Sequence, residues 1–198
     1  MFQVRIHGRG GQGVVTAAEL LAQAAFDEGA HAQAFPSFGS ERTGAPVVAF
    51  ARIAQTAIRV REPVMSPDAI IVQDETLLRA VDVFSGLSET GFVLINSKLS
   101  FSELGLSEFE AAHNRFMTVP ATELAMEHLG RPVPNAVLLG AFAALTKVVS
   151  LKSVQDAIGE RFNAKLAAGN SAAAAAAFEY VQSRLDESHR ATEEKANA

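Results

Sequence analysis

Cysteine and tryptophan are absent from the 198 residues, and tyrosine occurs once. Without cysteine sulfur the chain cannot ligate an iron–sulfur cluster, build a thiolate zinc site or present a cysteine nucleophile. Any such chemistry has to come from another chain. A chain of this length buries roughly 70% of its unfolded surface, so a core can stand without disulfides. Basic excess is also missing: 17 Lys+Arg face 22 Asp+Glu, a formal charge of −5, which argues against nucleic acid as a partner. The longest uncharged apolar run, Ala136 to Leu145, is about half of the ~20 residues needed to cross a bilayer. Arg5, His7 and Arg9 interrupt the amino terminus and leave no signal-peptide core, so the expected location is the cytoplasm. His7, His31, His113, His128 and His189 show no metal-ligand spacing; no metal site and no general acid or base is expected.

What is present alternates between strand and helix signals. Phe2 to His7 reads as an opening strand, a glycine-rich turn follows, and Val14, Ala18, Leu21, Ala22 and Ala25 recur at helical spacing up to the stop at Gly29. His31 to Phe35 reads as a second strand. Pro36 to Pro46 carries two Pro, two Gly and two Ser and reads as a long loop. Val47–Ile53 and Ala57–Arg61 look like a strand pair, Ala69–Val72 a buried strand, Glu75–Phe84 a helix, and Phe92–Ile95 and Phe116–Val119 further strands. Beyond Pro120 the pattern is helical: Ala121–Leu129, Pro134–Val149, Val154–Ala168 and Ser171–Leu185. The alanine run Ala172–Ala177 suits close helix packing. The expected architecture is α/β: a mainly parallel, Rossmann-like sheet with flanking helices and a helical C-terminal part. Residues 1–185 read as one domain, and 186–198 as a polar, disordered tail.

Residues 8 to 13, Gly-Arg-Gly-Gly-Gln-Gly, match the G-x-G-x-x-G pattern between a strand and a helix. Glycines let backbone N–H groups approach a diphosphate, and the helix amino terminus adds partial positive charge. A nicotinamide site also wants an acidic residue ending the second strand, and here that strand ends Ala34-Phe35-Pro36. The alternatives are a ligand-free tight turn and a contact with another phosphate-bearing cofactor or a partner, helped by Arg9 and Gln12. The loop Pro36-Ser-Phe-Gly-Ser-Glu-Arg-Thr-Gly-Ala-Pro46 projects from the same carboxyl edge of the expected sheet. A solvated Glu41–Arg42 pair is its plainest reading. Asp74 and Asn96, at strand ends on that edge, serve equally as loop-fixing groups or site residues.

The phrase Ile6 to Leu21, with Ala32-Gln-Ala-Phe-Pro-Ser-Phe-Gly39, Glu41-Arg42 and Gly44-Ala-Pro-Val47, resembles the gamma subunit of 2-oxoacid:ferredoxin oxidoreductases, closest to the pyruvate type. The likeness covers about residues 2 to 180. It departs from the family's pattern at Ser40, usually proline, and at Thr43, usually a second arginine. The resemblance implies a non-autonomous subunit of an enzyme that oxidatively decarboxylates a 2-oxoacid with coenzyme A, giving acyl-CoA, CO2 and reduced ferredoxin or flavodoxin. Thiamine diphosphate, magnesium and iron–sulfur clusters would belong to the complex and not to this chain, which also lacks a thiamine-type Gly-Asp-Gly. Its implied partners are the thiamine-binding and ferredoxin-like chains or domains, coenzyme A as substrate, and ferredoxin or flavodoxin. The implied coenzyme A contacts are Arg9, Gly10, Gly11, Gln12, Gly13, Phe38 and Arg42, with no catalytic residue. Competing readings are an indolepyruvate- or 2-oxoglutarate-type small subunit, a stand-alone nucleotide-binding regulatory protein and a structural adaptor.

Overall fold

Six strands form one sheet in a computed structural model that describes residues 1–37, 43–112 and 114–196. They are β1 (Phe2–Arg9), β2 (His31–Pro36), β3 (Pro46–Ala54), β4 (Ala69–Val72), β5 (Phe92–Asn96) and β6 (Phe116–Val119), in the spatial order β2-β3-β1-β4-β5-β6. The pairs β1–β4, β4–β5 and β5–β6 are parallel, whereas β3 is antiparallel to both β1 and β2. Five strands therefore point one way and β3 alone runs against them. From β1 the chain passes through helix α1 (Val14–Asp27) to β2 on one side, while β4, β5 and β6 follow on the other. Loops leaving β1 and β4 diverge at this reversal, which is where open α/β sheets hold crevices.

Alternation along each strand sorts side chains onto two faces. Val4, Ile6, Ile71, Leu94 and Val119 join one apolar cluster with α1, α2 (Ala121–Leu129), α3 (Asn135–Thr146), α4 (Leu151–Arg161) and α5 (Ala164–Ala196). The opposite face of β4–β6 buries Ile70, Val72, Val93, Ile95 and Phe116 against Leu77, Val83 and Phe101 from short turns and loops. Under β1 and β3 that second face is polar: Arg5, His7 and Arg52 are all buried. Arg52 lies over the Phe35 ring, 5.1 Å from its centroid, and donates to the carbonyls of Val60 (3.3 Å) and Glu62 (2.5 Å). Arg5 donates to the carbonyls of Val64 (3.5 Å), Val83 (2.9 Å) and Ser85 (2.5 Å).

These bonds explain two departures from the sequence expectation. Ala57–Arg61 forms no strand, because both edges of β3 are already paired and the carbonyls around it face buried guanidinium groups. The expected helix Glu75–Phe84 is a 3-10 helix over Glu75–Arg79 followed by turns. Asp74 caps that tight start through Thr76 N–H, and Arg5 holds the Val83 and Ser85 carbonyls. Two helix boundaries also shift. Ser150 caps α4 through Ser153 N–H, which starts that helix at Leu151, and Asn163 Oδ1 accepts from Leu166 N–H at the start of α5. The helix break falls at 162–163, and α5 passes through Gly169 without interruption. It continues into the polar stretch from Asp186 as far as Ala196. Helix α3 is buried from Asn135 to Leu145 and stops where Lys147 turns left-handed, at φ 56°.

Helix α3 meets the alanine run of α5 at backbone distance: a Cβ on Gly140 would lie 1.9 Å from the Ala174 carbonyl oxygen, whereas one on the exposed Gly159 would meet nothing within 4 Å. Ala173, Ala174 and Ala177 are fully buried in this region. Gly140→Ala should destabilise the chain by about 1–3 kcal/mol in urea unfolding, because overpacking outweighs the gain in helix propensity. Gly159→Ala, with the same propensity gain and open space, should stabilise by about 0.5–1 kcal/mol. Equal effects at both positions would show that α3 and α5 do not touch so closely.

His7 Nε2 accepts from Arg5 Nε at 3.0 Å, and burial together with the Arg5 charge holds its pKa down to about 4 from the ordinary 6.5. Between these values the unfolded chain binds a proton that the native chain does not, so stability rises with pH across that window. The contribution is complete above pH 6.5 and is lost as pH falls toward 4, a span of about 3 kcal/mol. Urea titrations at pH 7 and 4.5 should show this loss, and His7→Gln should flatten it.

Candidate functional site

The turn after β1 is held in a single shape by local chemistry. Gly11 and Gly13 have φ of 97° and 71°, a region that suits glycine. Gln12 closes the turn: its N–H donates to the Arg9 carbonyl (3.0 Å), its Oε1 accepts from Arg9 N–H (2.7 Å) and its Nε2 donates to Asp74 Oδ2 (3.0 Å). Glycine is required at two further contacts. A Cβ on Gly8 would sit 2.5 Å from Val14 Cγ2, and one on Gly13 would sit 2.4 Å from Asn135 Nδ2. Gly13 starts α1 without a side-chain cap, and the first turn of that helix holds no acidic residue. Its leading N–H groups and positive dipole end therefore meet no carboxylate of their own turn.

Asp74, two residues beyond β4, gathers the neighbouring groups. Its Oδ2 accepts from Arg9 Nε (3.1 Å) as well as from Gln12, and its Oδ1 accepts from Thr76 N–H (3.0 Å) and from the Thr76 hydroxyl. Partial burial alone would raise its pKa, but hydrogen bonds from Thr76 and Gln12 and the Arg9 charge carry it below the usual range. Arg9 is committed on several sides: Nη2 donates to Thr76 Oγ1 (2.6 Å) and Nη1 to the Gly44 carbonyl (3.0 Å).

The far flank of the long loop is joined to the turn. Gly10 and Thr43 form a parallel bridge, Gly10 N–H donates to the Ala45 carbonyl (2.9 Å), and Gly44 N–H donates to the Gly10 carbonyl (3.1 Å). Arg9, Gly10, Gly11, Gln12 and Gly13 thus come together on one edge with Thr43–Ala45. Phe38 and Arg42 lie outside the described residues. The Gly10 and Gln12 N–H groups are used within this edge.

Beside the turn, at the carboxyl ends of β4 and β5, opens a cavity of about 630 Å³ whose walls include Gln12, Gln73, Asp74, Asn96 and Thr122. Asn96 fastens its rim, donating to the Gln73 carbonyl (2.9 Å) and Thr122 Oγ1 (2.8 Å) and accepting from Thr122 N–H (3.0 Å). Lys98 pairs with Glu123 at 2.8 Å. Gln73 is 1% exposed, and among the described residues neither its Oε1 nor its Nε2 has a hydrogen-bond partner. Sequence reasoning missed Gln73, Thr76, Thr122 and Asn135; the one available signal was a polar residue directly after the wholly apolar β4. Among the described residues no three His, Asp or Glu side chains come together as a metal site, and no helix is long and apolar enough to cross a membrane.

Comparison with known proteins gives this edge a family. Residues 3–180 match the family model "Pyruvate ferredoxin/flavodoxin oxidoreductase". The chain is 51% identical over 182 residues to pyruvate synthase subunit PorC of Methanothermobacter marburgensis, covering 92% of this chain and 98% of that protein. It is 46% identical over 182 residues to the pyruvate/ketoisovalerate oxidoreductases common subunit gamma of Pyrococcus abyssi, again covering 92% and 98%. The crystal structure of pyruvate oxidoreductase subunit PORC from Thermotoga maritima superimposes with a TM-score of 0.75 at 35% identity, over 90% of this chain and 95% of that one. The chain belongs to the pyruvate ferredoxin/flavodoxin oxidoreductase family, as a gamma subunit.

Proposed function

We propose that this gamma subunit serves a multisubunit pyruvate:ferredoxin oxidoreductase and contributes the edge built from the turn and the 36–46 loop to the binding of coenzyme A. One observation carries the reading: the Gly10–Thr43 bridge and its flanking hydrogen bonds join two segments more than thirty residues apart at the amino terminus of α1. An uncapped helix start without acidic residues suits phosphate groups, and Arg42, which directly precedes Thr43 in the sequence, is the residue chosen for a charge-assisted contact. Arg9 then acts from behind, keeping the edge in shape through Gly44, Thr76 and Asp74.

The residues present do not fit the redox and thiamine groups of the reaction. Zero cysteine excludes cluster ligation by this chain, and the Gly-Asp-Gly that holds thiamine's magnesium is absent. Thiamine diphosphate, magnesium and the iron–sulfur clusters therefore sit in partner chains or domains, which carry out the decarboxylation and pass electrons to ferredoxin or flavodoxin. A relative named as the common gamma subunit of pyruvate and ketoisovalerate oxidoreductases supports placing the choice of 2-oxoacid outside this subunit. The complex works in the cytoplasm, where its acceptor proteins are.

The test is kinetic, on the assembled complex. Arg42→Ala should raise the apparent KM for coenzyme A by about 10- to 100-fold, the scale of a charge-assisted contact, while sparing the KM for the 2-oxoacid. Arg42→Lys should recover little of the loss if the contact is bidentate. Unchanged coenzyme A kinetics in both variants, with the complex intact, would remove the loop from the site.

A further inference from the structure

We propose that the outer surface of the segments covering β1 and β3 is a docking face for an acidic surface on another subunit of the complex. The proposal takes from the reading above only that the chain is a subunit, and does not depend on coenzyme A.

Two segments, 59–66 and 79–86, form this cover. They lie side by side: the Arg5 guanidinium donates to the carbonyls of both Val64 (3.5 Å) and Val83 (2.9 Å), and a Cβ on Gly86 would run into the Met65 carbonyl. Arg52 holds the carbonyls of Val60 and Glu62 in the same way. With the main chain anchored from beneath, three apolar side chains are left turned to solvent. Val60 is 41% exposed, Met65 74% and Val81 37%, and none of them belongs to either core cluster. One exposed apolar residue needs no explanation, but three on a single anchored cover form the kind of apolar centre that an interface buries. Because the anchoring uses carbonyls, these outer side chains carry no folding duty and can follow a partner's surface as it changes.

Charge selects the partner. Arg59, Arg61 and Arg79 stand exposed on the same cover, and among the described residues none of them makes an ion pair. The two carboxylates of these segments answer the cations below: burial works against the charges of Arg5 and Arg52, and Asp82 and Glu62 respectively offset it. Asp68, next along the chain, accepts from Gln3 N–H (2.8 Å). In and under the cover five arginines therefore face two carboxylates, a local excess of three positive charges on a chain whose formal charge is −5. Such a patch attracts carboxylates and repels basic partners. Its cations are all arginine, and lysine first occurs at position 98. Arginine and methionine are enriched at protein interfaces, where lysine is depleted. A permanent subunit fits this face better than the acceptor protein, because electrons leave from a cluster that a chain without cysteine does not hold.

The experiment measures how tightly the full-length chain joins its partner subunits, by sedimentation velocity of the purified complex across a range of salt concentrations. Arg61→Glu/Arg79→Glu should weaken the association by at least about tenfold, since it sets like charges against each other. Wild-type association should weaken as salt rises, and that of the double variant should not. Met65→Ser should weaken it about fivefold at every salt concentration, through lost apolar burial. All three side chains are exposed, so the Tm of the free chain should not move in either variant, which separates lost docking from lost folding. Arg131→Glu/Lys165→Glu makes the same charge change at exposed positions on the helical side of the sheet and should assemble as the wild type does. Equal weakening by that control pair, or undiminished association of both cover variants, would overturn the proposal. An intact complex with a raised KM for ferredoxin alone would put the acceptor protein on this face instead. Self-association of the free chain, or its binding to phosphatidylserine vesicles, abolished by Arg61→Glu/Arg79→Glu while the complex still forms, would give the face to a second copy or to a lipid surface and overturn it too. The coenzyme A kinetics of Arg42→Ala bear on the coenzyme A reading alone, so the two stand or fall separately.

Discussion

A single carboxylate organises the working edge of this subunit. Asp74 accepts hydrogen bonds from Gln12, Arg9 and Thr76, groups that lie on different segments of the chain. Arg9 in turn reaches Gly44, so the glycine turn, the flank of the long loop and the corner after β4 are bound through two side chains. The arrangement is possible because β1 and β4 are parallel neighbours whose carboxyl ends emerge side by side. Without the carboxylate, Gln12 Nε2 and Arg9 Nε would lose the acceptor that they share, and the glycines on their own would leave the turn several conformations. Rigidity at this edge is a property of the network, and the glycines supply only its permission.

The remainder of the fold keeps that edge in place. Helices α1 to α5 pack on one side of the sheet, where α3 and α5 approach until the Gly140 position touches the backbone of its neighbour. Asn135, at the start of α3, crowds Gly13, so the helical layer reaches the site through that contact. On the other side, short turns replace helices and buried arginines replace apolar packing under β1 and β3.

How much of this was legible follows from how local each cause is. β1, α1, β4, β5, β6 and α2 announce themselves by short-range pattern, and the structure has them within two residues of their expected bounds. The glycine turn is legible for the same reason, since a positive φ is a property of one residue. The direction of β3 is not, because an alternating strand reads alike in either sense. Ala57–Arg61 alternates too, yet its surroundings include arginine side chains from β1 and β3, which no window of neighbouring residues contains. Asp74 and Asn96 stood out as polar strand ends. Gln73, adjacent to one of them, did not, because its distinguishing feature is the absence of partners in three dimensions.

The buried arginines carry an evolutionary consequence. The hydrogen bonds from Arg5 and Arg52 to the irregular segments around residues 60–64 and 83–85 go to main-chain carbonyls. Every amino acid brings a carbonyl, so the covering segments can drift in sequence without loosening. The two arginines cannot, because lysine lacks the forked geometry needed to reach several carbonyls together. Divergence among relatives should therefore be asymmetric across this contact, with variable cover over two invariant cations.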